Sequence, residues 1–188
     1  RVMAPFTAGV LTEDELKGLC KAAYGSFAHA AVTPLKQLDG QHFLLELFHG
    51  PTLAFKDVAM QLLARLMDHA LAERGERATI VGATSGDTGG ASIDAFAGRK
   101  RTDMFILFPH GRVSPVQQRQ MTTTGAANVH ALAVKGTFDD CQAMVKAAFN
   151  SRDVDRIAAC FTDDATFWLA RGPEPVGRTL KGKEVIRK

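Results

Sequence analysis

The chain has 188 residues, 46% apolar and 23% charged, the balance of one globular domain or of one domain with part of another. A net charge of +3, with no basic block and no basic–aromatic stripe, excludes a nucleic-acid binder. Cys20, Cys141 and Cys160 are too scattered for a disulfide framework or a zinc site, and no signal peptide or apolar stretch of roughly 20 residues is present, so a cytoplasmic protein with no membrane and no metal is predicted. The chain opens at Arg1 rather than methionine, from which a missing upstream part is expected.

The first predicted element is a helix. Thr12 is its N-cap and Glu15 completes a capping box; Leu16, Leu19, Cys20 and Ala23 fall at helical spacing, and Gly25 is the stop. Phe43–Phe48 reads as a short strand that ends at the His49-Gly50-Pro51 turn. From Phe55 to about Arg74, the residues Val58, Leu62, Leu63, Leu66, Met67, Ala70 and Leu71 form the apolar stripe of an amphipathic helix closed by Gly75. Ala78–Ala83 is a strand apolar on both faces, followed by the turn Thr84–Gly90. A small-residue helix through Ala91, Ile93, Ala95 and Phe96 ends near Gly98. Met104–Phe108 is a second buried strand, stopped by Pro109. Ser114 and Pro115 open another helix as N-cap and first helical residue. Val129–Val134 is a third strand and Phe138–Phe149 a third long helix. Strands that alternate with helices and are apolar on both sides predict an α/β fold: a three-layer parallel sheet with helices on both faces.

Three loops at strand ends or helix starts carry candidate chemistry. In His49-Gly50-Pro51-Thr52-Leu53-Ala54-Phe55-Lys56-Asp57, Lys56 sits just inside a helix, where positive backbone dipoles favour the neutral amine needed for imine formation. In Thr84-Ser85-Gly86-Asp87-Thr88-Gly89-Gly90, backbone N–H groups and hydroxyls at a strand-to-helix junction suit a carboxylate or phosphate; the spacing is neither GxGxxG nor the Walker pattern, so a nucleotide site is excluded. In His110-Gly111-Arg112-Val113-Ser114-Pro115, with Gln117 and Gln118 beyond, Arg112 can pair with a phosphate at a strand end. Each has a plainer account when taken alone: a solvated lysine, a capped turn, a surface arginine. The three together, at one edge of one sheet, weigh more than any one of them.

These same blocks carry a resemblance. HGPTLAFKD resembles the cofactor-lysine motif of the threonine synthases, TSGDTGG their substrate loop, FPHGRVSPVQQRQ the next strand-end segment, and VKGTFDDCQAMVKAAFN the strand and helix after it. The match runs over residues 1–149. It implies a segment of a fold type II enzyme that uses pyridoxal 5'-phosphate, with Lys56 forming the imine link to the cofactor and then moving protons as a general base. Phe55 and Asp87 are implied to flank the cofactor ring. Thr84, Ser85, Gly86, Asp87 and Thr88 are implied to hold the substrate carboxylate, and Arg112 to bind substrate. The family's reaction converts O-phosphohomoserine and water to threonine and phosphate. The family's glycine-rich loop for the cofactor phosphate is not among these residues, so weak non-covalent retention of the cofactor and little turnover are expected.

Residues 150–188 change in character. Val154, Ile157, Ala158 and Phe161 share one helical face, Ala165–Leu169 reads as a strand, and Arg171–Pro175 as a loop. AAFNSRDVDRIAACFTDDATFW and GRTLKGKEVIRK resemble the start of an NTF2-like (SnoaL-like) domain, which implies a short, incomplete α+β tail after a partial first domain over residues 1–149. Two alternatives stand beside the enzyme reading: a small-ligand-binding NTF2-like module, and a non-functional fusion fragment. Uncovered apolar faces predict self-association.

Overall fold

The computed structural model describes residues 2–151, 166–169 and 178–181. The expected helix through Val154 and Phe161 and the Arg171–Pro175 loop lie outside the described residues.

Helix α1 (Ala4–Thr7) is one short turn, and α2 (Glu13–Tyr24) begins at the expected capping box: Thr12 N–H donates to Glu15 Oε2 at 2.8 Å, and Glu15 N–H donates to Thr12 Oγ1 at 3.2 Å. Strand β1 (Leu35–Gln37) pairs antiparallel with β2 (Phe43–Leu45) in a hairpin exposed along its whole length. The strand expected over Phe43–Phe48 is therefore half as long and lies outside the core. Its apolar run has no sheet to enter, because the parallel sheet is built from later residues.

That sheet has the order β3-β4-β5, from β3 (Ala78–Ala83), β4 (Thr102–Pro109) and β5 (Val129–Val134), all parallel. The central strand β4 has the longest apolar run and the deepest burial. Helices α3 (Asp57–Arg74), α4 (Asp87–Phe96) and α5 (Pro115–Thr122) bury Ala64, Ile93, Phe96 and Met121 on one face against Met104, Ile106, Phe108, Val129 and Ala131. The other face carries α6 (Phe138–Ser151), with Cys141 packed among Leu107, Leu132 and Val134. Alternation along each strand sends successive side chains to opposite layers, which is why all three strands read as apolar throughout. The three-layer α/β expectation is met.

Helix α3 closes where expected, at Gly75, whose φ of +66° is the left-handed cap a glycine takes without steric cost. Its stripe is less apolar than the spacing implied, since Leu63 is exposed while Asp57 and Gln61 are buried. The end of α4 is tied to the start of β4 by buried Asn128. Its Nδ2 donates to the carbonyls of Phe96 and Thr102, each at 2.9 Å, and its Oδ1 accepts from Gly98 N–H at 2.8 Å. Strand β6 (Thr166–Leu169) pairs antiparallel with β7 (Arg178–Lys181) in a separate two-stranded sheet; β7 carried no strand signal in the sequence. No helix among the described residues is long and apolar enough to cross a membrane.

Candidate active site

In a parallel sheet, each helix that follows a strand starts at the strands' C-terminal edge, and a helix that feeds the next strand starts there too. That rule brings the N-termini of α3, α4 and α5 to one edge. Helices α3 and α4 therefore run parallel, and their contacts set the register between them. Ser92 Oγ lies 3.7 Å from Met60 Sδ, an offset of 32 residues, and Gln61 Nε2 donates to Asp94 Oδ2 at 2.6 Å, an offset of 33. One helical turn back from Met60 is Lys56, and one turn back from Ser92 is Thr88. The amine-bearing turn and the hydroxyl-bearing turn thus lie level with each other.

The Lys56 loop is fixed by its neighbour. Asp57 is fully buried and accepts from Thr52 N–H at 2.8 Å and from Thr52 Oγ1 at 2.7 Å, while Gly50 packs so closely on its side chain that a Cβ there would overlap it. Upstream, His49 Nε2 pairs with Glu46 Oε2 at 2.7 Å, and the His49 carbonyl accepts from Ala28 N–H. Between these anchors Leu53 stands exposed with a φ of +63°, a strained backbone for a branched residue. Lys56 is half-buried, and its Nζ sits 4.2 Å from the centroid of the Phe55 ring.

The Thr84–Gly90 segment is not one turn, as the sequence suggested: α4 already begins at Asp87. Thr84 points inward, and its Oγ1 accepts from Gly86 N–H at 3.0 Å and Gly89 N–H at 2.8 Å. Ser85 and Asp87 are exposed and Thr88 is half-buried. Among the described residues, the N–H groups of Ser85, Asp87 and Thr88 have no acceptor, and they lie at the positive end of the α4 dipole. The glycines have a second purpose that the sequence did not reveal. Gly89 leaves no room for a Cβ against Thr84 and Met121, Gly90 faces Gln120, and Gly86 lies against Gln117 with a φ of +146°. They open α4 to the close approach of α5.

Helix α5 starts from its own capping box, Ser114 with Gln117, as the serine–proline pair predicted. Gln117 Nε2 donates to Asp87 Oδ1 at 2.6 Å and Gln120 Nε2 donates to the Thr52 carbonyl at 3.1 Å, so α5 touches both loops. Arg112 lies at the same sheet edge but is exposed, with no hydrogen bond to either loop. Its charge is felt instead at Asp140 in the first turn of α6. That carboxyl is held below its usual range mainly by the Thr137 backbone N–H and hydroxyl, with a smaller pull from Arg112. The structure thus brings the Lys56 and Ser85–Thr88 turns level and leaves Arg112 apart; Gln117, named in the sequence only beside Arg112, is the side chain that reaches Asp87. A signal for it existed: a capping-box glutamine carries a spare N–H₂ group that a glutamate lacks.

A family model described as pyridoxal-phosphate dependent enzyme matches residues 27–170. The chain belongs to the pyridoxal-phosphate-dependent enzyme family. Within this family it is similar to the threonine synthase of Pseudomonas aeruginosa, with 58% identity over 149 residues, covering 79% of this chain and 32% of that protein. The threonine synthase of Saccharomyces cerevisiae is 46% identical over 156 residues, covering 76% of this chain and 30% of the relative. Among solved structures, a PLP-bound threonine synthase from Brucella melitensis superposes with a TM-score of 0.78 at 63% identity, covering 86% of this chain and 34% of that one. The chain spans about a third of the length of the relatives it matches.

The residues at this edge fit the family's cofactor chemically. A half-buried primary amine stands level with a cluster of unclaimed N–H and hydroxyl donors, and an aromatic ring lies beside the amine. An aldehyde needs the first and an anionic group the second.

Proposed function

We propose that this chain carries the lysine-bearing part of a threonine synthase site, which acts in the cytoplasm on O-phosphohomoserine and water to give threonine and phosphate. The observation that carries the reading is the register between α3 and α4, which sets Lys56 level with Thr88. The similarity to named threonine synthases supports the choice of reaction within the family.

Pyridoxal 5'-phosphate, when bound, supplies the electron sink that makes hydrogens near the substrate nitrogen acidic. The chain's own groups do the rest. Lys56 Nζ would hold the cofactor through its aldehyde carbon and would take and return protons beside the substrate. Phe55 and Asp87 would flank the cofactor when it is bound. The N–H groups of Ser85, Asp87 and Thr88, with the Ser85 and Thr88 hydroxyls, hold the substrate carboxylate; Gly86 gives that loop its turn, with a φ of +146°. Thr84 contributes by bracing the loop from within. Arg112 meets the substrate phosphate at the outer edge. The tail from residue 150 is proposed as a separate unit, in keeping with the antiparallel β6–β7 pair, which is not hydrogen-bonded into the parallel sheet.

The test is reductive trapping. Protein mixed with pyridoxal phosphate and reduced with borohydride should carry the label on Lys56 and lose it in Lys56→Ala. Label spread evenly over surface lysines and unchanged in Lys56→Ala would sink the reading. Phosphate release from O-phosphohomoserine, expected to be small, then checks the substrate.

A further inference from the structure

The Asp87 carboxylate does not hold its own position. It sits exposed in the first turn of α4, next to Gly86, whose φ of +146° leaves the local backbone with little intrinsic preference. What reaches it is Gln117, from a different helix. Gln117 Nε2 donates to Asp87 Oδ1 at 2.6 Å, and the Gln117 side chain fills the space a Cβ of Gly86 would need. The far end of the same amide is fixed as well: Gln117 Oε1 accepts from Ser114 N–H at 3.2 Å and Ser114 Oγ at 3.0 Å. Ser114 Oγ in turn accepts from Gln117 N–H at 3.2 Å. One planar amide is thus used at both ends, with oxygen toward the cap and nitrogen toward the carboxylate. Only that orientation satisfies both partners.

We propose that Gln117 is a positioning residue, which transmits the rigidity of the α5 capping box to Asp87 and aims its carboxylate at the cofactor ring. The inference rests on the threonine synthase reading for what Asp87 faces, though the bracket itself is independent of it. Glutamate would serve the cap as well as glutamine does, since serine with glutamate three residues on is an equally good capping box. It would fail toward Asp87, because it offers a second oxygen and a like charge in place of an N–H donor.

That asymmetry gives the experiment. In the cofactor-free chain, Gln117→Glu should leave the thermal midpoint unchanged while the Gly86 and Gly89 amides exchange with deuterium about tenfold faster. In the same variant the dissociation constant for pyridoxal phosphate, read by absorbance, should rise about tenfold. The swap Asp87→Asn with Gln117→Glu restores a hydrogen bond of reversed polarity, and should bring the exchange rates back to within about twofold of the parent chain. Unchanged Gly86 and Gly89 exchange in Gln117→Glu, or a swap that restores nothing, overturns the proposal. If exchange responds as described but the parent chain traps no cofactor on Lys56, the bracket stands and the threonine synthase reading falls.

Discussion

The two faces of the parallel sheet are built on different terms. The α6 face is simple: Leu107, Leu132, Val134 and Cys141 meet without a buried polar side chain among them. The face under α3, α4 and α5 buries Asp57, Gln61, Thr84, Ser92 and Asn128 along with its apolar residues, and opens glycines to let α5 in. Every candidate site residue except Arg112 belongs to elements of the second face. Burying polar groups stabilises little and costs much when a partner is lost. Such groups mark where the chain specifies geometry, while the apolar face serves cohesion alone.

The largest effect should come from the polar face. Asp57→Ala leaves the Thr52 N–H and hydroxyl without their acceptor, so denaturant unfolding should show a loss of about 4 kcal/mol, and capture of pyridoxal phosphate on Lys56 should fall with it. Leu132→Ala on the apolar face should cost about 3 kcal/mol through the cavity it leaves, yet under folding conditions cofactor capture should be unchanged. Equal loss of capture in both variants would erase the distinction between the faces.

A pH dependence sharpens it further. Burial pushes the Cys141 thiol up to about 11, from an ordinary value of 9.0. Between those values the unfolded thiol gives up its proton while the folded one keeps it, so the folded state binds more protons and stability falls as pH rises. Below pH 9 the contribution is fully present. The loss should reach about 2 kcal/mol by the upper end, and Cys141→Ala should remove that part of the slope in urea midpoints taken across the window. The smallest effect belongs to the strained loop. Leu53→Gly relieves a left-handed leucine at the expense of chain entropy, for a net gain of about 0.5 kcal/mol in thermal unfolding.

Much of this was legible in the residues because it is local. The capping box at Thr12, the serine–proline start at Ser114 and the glycine stop at Gly75 all rest on contacts within a few positions, and all stand where the sequence put them. The start of α4 was misread for an instructive reason. Glycines at 89 and 90 look like a turn by propensity, but here they are the flat side of a helix pressed against Met121 and Gln120. Propensity weighs a residue by its own backbone, and packing outweighed it.

The sequence by itself determined the alternation of strands and helices, the apolar character of both sheet faces and the three loops with their reactive groups. Those follow from periodicity and from short-range hydrogen bonding. Only the tertiary structure decided which groups meet. Lys56 and Thr88 are brought level by the register of two parallel helices, and Gln117, not Arg112, reaches Asp87. Such pairings span some thirty residues of chain, and they are set by how side chains interlock across helices, which no local pattern encodes.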